Sequence, residues 1–161
     1  MHAIAFTVFG LLFFGTLRAE EDLWGHFPMG STCYKHIKDQ QLAWDDAREV
    51  CKKEGGDLAV IRDMETNQLI QLMLDKDNYL GTNANVAWIG LSVENGEVKW
   101  VDGSTPRRNL MLPPKPPTLY PGQAAPAKQC VFIDASGRWT LERCDESFLK
   151  KAPICQKFNA A

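Results

Sequence analysis

The sequence predicts a mixed α+β fold: two helices packed on a twisted, mainly antiparallel sheet, with a long irregular loop at one end. Three observations carry this. Two segments repeat apolar residues at helical spacing, and two pairs of β-favouring runs flank hairpin turn signals. Between Asp102 and Cys130 lie seven prolines, which permit neither a helix nor a central strand. With 161 residues, 45% hydrophobic and 24% charged, the chain has single-domain size and composition. Its formal net charge of -2 gives no reason to expect nucleic acid as a partner.

In chain order, Ala3 to Phe14 (AIAFTVFGLLFF) comes first, almost wholly apolar. A bilayer-spanning helix needs roughly 20 such residues, so this segment reads as an export signal and no membrane span is expected. Ala19 is small enough to precede a cleavage site, although neither Met1 nor His2 supplies the usual Lys or Arg. A buried N-terminal helix is the competing reading, disfavoured by the lack of a polar face. The expected organisation is therefore a signal peptide over 1–19, an N-terminal segment over 20–31 and one folded domain over 32–158, secreted and extracellular.

Residues 30–38 carry β-favouring side chains and read as an opening strand. In DQQLAWDDAREVCKKEGG, Ala43, Ala47, Val50 and Cys51 recur on one helical face. Asp39 or Gln40 is the candidate cap, and Gly55-Gly56 ends the helix. Asp57 to Ile61 (DLAVI) is a short strand. Asp63 then caps a second helix running to about Leu80, with Leu69, Ile70, Met73 and Leu74 inward and Glu65 suited to the positive end of its dipole.

Ala87 to Leu91 (AWIGL) and Glu97 to Val101 (EVKWV) flank Asn95-Gly96, the strongest short hairpin signal. Gln129 to Ile133 and Arg138 to Leu141 flank Ala135-Ser136-Gly137, a second hairpin, and Ala152 to Phe158 closes the chain as a strand. A connection as long as the proline-rich one is usually functional or disordered.

Export makes Cys33, Cys51, Cys130, Cys144 and Cys155 a disulfide framework. Five is odd, so one thiol is left over or bonds to another chain. With no C-x-x-C pair, and with His26 and His36 far from the downstream cysteines, a zinc site has little support. No Asn-x-Ser/Thr sequon occurs.

These residues resemble the C-type lectin-like domain family. Trp44-x-x-Ala47-x-x-x-Cys51 followed by Gly55-Gly56-x-Leu58 resembles its first helix, and Trp88-Ile89-Gly90-Leu91 its core strand. Trp100-x-Asp102-Gly103 resembles its strand-to-loop turn, and Cys130, Trp139, Cys144 and Cys155 stand in family order. The resemblance runs from about Thr32 to Phe158. It implies the pairs Cys51–Cys155 and Cys130–Cys144, and it implies that Trp44, Trp88, Trp100 and Trp139 pack the core. The first bridge would close a loop of about 100 residues, roughly 4–5 kcal/mol in the chain-entropy model, and the second roughly 3 kcal/mol.

Family members that bind sugar through calcium use a Glu-Pro-Asn or Gln-Pro-Asp triplet in the long loop and an Asn-Asp pair after the late Trp. Here the best counterpart of the triplet is Tyr120-Pro121-Gly122, and Thr140-Leu141 follows Trp139. No Asp or Glu occurs between Asp102 and Asp134. Calcium wants six to eight oxygens with carboxylates dominating, so a family-type site is not expected. Asp75, Asp77, Glu94 and Glu142 leave an auxiliary site open but read more simply as solvated charge.

The loop instead carries Arg107, Arg108, Lys115 and Lys128 without a compensating acid. Together with Tyr120 and Gln123 these are the candidate ligand-binding residues, suited to an anionic glycan or an acidic protein patch. The plainer alternative is a solvated basic loop opposing an acidic remainder. Pro113-Pro114-Lys115-Pro116-Pro117 suits stiff polyproline II geometry.

Longer family members pair the Cys33 position with a cysteine about ten residues upstream. Here that region reads Asp22-Leu23-Trp24-Gly25-His26, which predicts a dimer linked through Cys33 or a bond to another protein, against a buried thiol. No nucleophile motif or carboxylate pair suggests an enzyme, and no cofactor is expected. The function expected is calcium-independent recognition of a glycan or extracellular protein through the loop from Ser104 to Gln129. The rival is a structural matrix, mineral- or ice-surface role.

Overall fold

The segment Thr32–His36 leaves a turn at Gly30 and finds partners on both sides, which fixes one border of the sheet. Its upstream partner is a strand the sequence did not announce, β1 (Phe27–Met29), and its downstream partner is the last strand, β8 (Ala152–Phe158). The protein is described by a computed structural model over residues 27–79, 85–106, 128–144 and 150–158. The segment read as an export signal and the N-terminal residues up to His26 lie outside the described residues.

With the opening strand as β2, the remaining elements are α1 (Trp44–Lys53), β3 (Asp57–Leu58), α2 (Met64–Tyr79), β4 (Val86–Glu94), β5 (Glu97–Trp100), β6 (Lys128–Asp134) and β7 (Trp139–Arg143). The sheet order is β1-β2-β8-β4-β6-β7, with β3 paired to β8 and β5 to β4. Among these ladders only β4–β8 is parallel, joined at Ala87↔Ala152 and Trp88↔Pro153. The expected two helices on a mainly antiparallel sheet are therefore found.

Helix α1 departs from its expected start. It begins at Trp44, behind Ala43, and no side chain caps it. The upstream chain is held extended: Leu42 exchanges backbone hydrogen bonds of 3.1 and 3.0 Å with Lys151. Neither Asp39 nor Gln40 can then cap the helix, because both precede this bridge. The buried face accordingly turns to Trp44, Ala47 and Cys51, with Ala43 and Val50 only half-buried. The far end matches expectation, since Gly55 takes φ +81° and the amides of Gly55 and Gly56 donate to Lys52 and Cys51 at 3.0 Å.

Helix α2 is capped as expected, the Thr66 amide donating 2.7 Å to Asp63 Oδ1. Ile70, Met73 and Leu74 are buried and Leu69 packs at the border. DLAVI pairs as a strand only over Asp57–Leu58. Ala59 to Ile61 are buried; the Ala59 amide still donates 2.8 Å to Ile154 O of β8, and the pairing stops at Val60, whose amide is taken by the side chain of Gln156 at 2.9 Å. The β4–β5 turn places Asn95 at φ 51° and Gly96 at φ 80°, the two positive values a tight primed turn requires.

Alternation along β4 divides the core. Ile89 and Leu91 join Val131, Ile133, Trp100 and Trp139 beneath α2. Trp88 joins Trp44, Ala47, Leu58 and both disulfides beneath α1. The bridges are Cys51–Cys155 and Cys130–Cys144, the pairs implied by the resemblance. The four tryptophans are 0–8% exposed, and three donate their indole N–H within the protein. Trp44 bonds Ile89 O at 2.8 Å, Trp88 bonds Leu42 O at 2.8 Å and Trp139 bonds Asn67 Oδ1 at 2.9 Å. They are packing residues in this fold, as the resemblance implies.

Candidate functional site

Of the candidate ligand residues, Arg107, Arg108, Lys115, Tyr120 and Gln123 lie outside the described residues, as does Tyr120-Pro121-Gly122. Lys128 and the two stems of the long loop are described, and the stems show how it is mounted.

The upstream stem starts where β4 bends away from β6. The ladder shifts register between Trp88 and Ser92. There the Gly90 amide donates 2.8 Å to Ala59 O, and the Val101 amide donates 2.7 Å to Gly90 O. A Cβ on Gly90 would sit 2.8 Å from Val101 Cγ2 and 3.0 Å from Leu58 O, so only glycine admits this approach. Arg48 of α1 completes the seat. Its guanidinium forks onto both Asp57 oxygens at 3.0 Å and donates 3.0 Å to Val101 O.

Past Val101, Asp102 organises the turn. Its Oδ1 accepts from the Ser104 amide at 2.9 Å and from the Ser104 hydroxyl at 2.6 Å. Arg62 donates to Asp102 Oδ2 and, at 3.2 Å, to Ser104 Oγ. Partial burial pushes the Asp102 carboxyl upward, but the Ser104 hydrogen bonds and the Arg62 charge outweigh it and hold the group below its ordinary value. The same Asp-x-Ser turn recurs at the second hairpin, where Asp134 Oδ1 accepts from the Ser136 amide at 2.9 Å and its hydroxyl at 2.5 Å. Asp134 is likewise lowered: burial raises it, but bonds from Ser136 and Arg138 prevail.

At the downstream stem Lys128 opens β6. Its Nζ lies 2.6 Å from Asp45 Oδ1 and 4.5 Å from the centre of the Trp44 ring. The predicted ligand contact is thus already occupied by a carboxylate of α1. Sequence inspection missed Asp45, Arg48 and Arg62. Asp102-Gly103-Ser104 was a legible turn signal, whereas nothing local marks a pair 83 positions apart.

On β7, at the positions of the family's Asn-Asp pair, Thr140 faces Phe132 across the ladder and Leu141 faces Val131. Leu141 packs on the core. They supply one hydroxyl and no carboxylate. Glu142 is engaged by Lys151, whose Nζ contacts Glu142 Oε2 and lies 4.6 Å from the Trp88 ring and 4.5 Å from Phe132. Among the described residues no cluster of three or more His, Cys, Asp or Glu is placed to hold a metal ion.

Cys33 takes no part in either disulfide and is 2% exposed, in the cluster with Trp44 and Cys155. A bond from it to another chain would require β2 to open. No described helix is long and apolar enough to cross a membrane.

The Lectin C-type domain profile matches residues 40–157. This chain belongs to the C-type lectin domain family. The lectin domain is 27% identical over 120 residues to mouse C-type lectin domain family 10 member A, covering 73% of this chain and 36% of that protein. It spans about a third of the length of several curated relatives it matches, and 8% of the secretory phospholipase A2 receptors. Its fold superposes on the human scavenger receptor C-type lectin carbohydrate-recognition domain with a TM-score of 0.66 at 21% identity, covering 83% of this chain and 95% of that one. A calcium-independent type II antifreeze protein gives a TM-score of 0.60 at 23% identity, covering 83% and 92%.

Proposed function

We propose that this lectin domain is a secreted recognition module that binds an anionic glycan without calcium through the loop from Ser104 to Gln129. One observation carries the reading. Thr140 and Leu141 stand where ligands of a family-type calcium ion would, and the next carboxylate, Glu142, is held by Lys151. That donor set does not fit an ion that needs six to eight oxygens.

The basic loop supports an anionic partner. Arg107, Arg108, Lys115 and Lys128 carry four positive charges, while no acid occurs from Gly103 to Ile133. Family membership favours a sugar over a protein as the bearer of the charge. The fold also occurs in a protein described as calcium-independent, which keeps an ice- or mineral-surface role as the second reading.

The deciding experiment is a glycan array probed with and without chelator, followed by salt elution from heparin. Chelator-insensitive binding to sulfated glycans, weakening as salt rises, is expected. Chelator-sensitive binding overturns the calcium argument. A blank array points to an acidic protein or a surface role.

A further inference from the structure

We propose that Asp45 is an internal stand-in for the anionic group of the ligand, occupying Lys128 until a glycan sulfate or carboxylate replaces it. The proposal rests on the anionic-glycan reading above. It names one contact of that site and the group that competes for it.

Lys128 is the first residue of β6, where the loop rejoins the sheet. Its ammonium is oriented by two groups of α1, the face of Trp44 at 4.5 Å and Asp45 Oδ1 at 2.6 Å. Trp44 is 2% exposed and cannot move away without opening the core. Asp45 is different, because its side chain is 67% exposed and Lys128 is its sole partner among the described residues. The Lys128 side chain is itself 30% exposed, so solvent reaches this pair. One fixed aromatic wall and one displaceable oxyanion describe a site that holds a cation in place while its counter-ion exchanges.

The other acids near the stems do not share this character. Asp102 shapes its turn through Ser104 and binds Arg62, and Asp57 is clasped by Arg48. Asp45 could instead serve the helix dipole, since it lies in the first turn of α1. Asp46 occupies the same turn and is also exposed, and among the described residues no hydrogen bond or ion pair joins it to Lys128. Replacing either removes the same charge from the same helix end, but only one change releases Lys128.

The test compares Asp45→Asn, Asp46→Asn, Lys128→Ala and the double variants Asp45→Asn/Lys128→Ala and Asp46→Asn/Lys128→Ala on heparin and on desulfated heparin, by salt elution and by equilibrium titration. An exposed ion pair is worth little, so Asp45→Asn should bind heparin roughly two- to fivefold more tightly than Asp46→Asn. That margin should vanish when Lys128 is alanine. Retention of the margin on desulfated heparin assigns the exchanging group as carboxylate, and its loss assigns sulfate. If wild type is retained and the two Asn variants shift alike, the stand-in role is overturned and the anionic reading stands. Weaker binding by Asp45→Asn also overturns it, making Asp45 a positioning residue. If neither wild type nor Asp45→Asn is retained at low salt, the anionic reading falls and this proposal with it.

Discussion

The indole N–H of Trp139 donates 2.9 Å to Oδ1 of Asn67, and the Asn67 amide in turn reaches Gly137 O at 3.4 Å. One buried side chain of α2 thereby ties the helix to the strand and to the turn of the second hairpin. Asn67→Ala should destabilise the fold by about 1–3 kcal/mol, because it strands a buried indole donor. Urea unfolding with the disulfides intact measures this, and a change near zero would show that water replaces the amide.

Gly90→Ala should cost about 1–3 kcal/mol, since the added methyl meets backbone oxygens of Leu58 and Ala59 as well as Val101. It should weaken ligand binding as well as stability, because Val101 lies in the upstream stem that leads into the loop. Comparing thermal unfolding with heparin retention separates the two.

The bridges should differ in worth. Cys51–Cys155 spans 104 positions and Cys130–Cys144 spans 14. Removing the first should cost about 4–5 kcal/mol and the second about 3 kcal/mol by chain entropy. Paired Cys→Ala variants compared in urea check the order.

Acid should weaken the fold through Asp102 and Asp134. Both carboxyls are held below their ordinary value of 3.8. Their contribution is therefore complete above that pH and is lost as pH falls below it, through the lower folded-state values. Asp102→Asn/Asp134→Asn should lower stability at neutral pH and flatten its dependence between about pH 4 and pH 2. An unchanged slope in acid urea titrations would assign the effect elsewhere.

Cys33 is buried between β1 and β8, so alkylation should be slow in the native protein and fast in denaturant. A species of doubled mass on non-reducing gels, lost on reduction, would instead support the interchain bond suggested by the odd cysteine count.

What the sequence disclosed was what short-range chemistry governs. Asp63 as a cap, Gly55 as a helix end and Asn95-Gly96 as a turn each act within a few residues. The disulfides and tryptophans followed from the family resemblance. The start of α1 was illegible because Lys151, more than a hundred positions away, sets it. The strand β1 was hidden by its three-residue length and the Pro28 within it. Lys128 was singled out as a ligand contact, but its tether to Asp45 depends on how the sheet brings β6 beside α1.

Thr32 lies opposite Phe158 in the β2–β8 ladder. The start of the second strand and the end of the last therefore lie at one corner, as the two wires of a plug leave the same side. A short peptide could join them into a ring, or the unit could be spliced into a surface turn of another protein, with little rearrangement of what lies between.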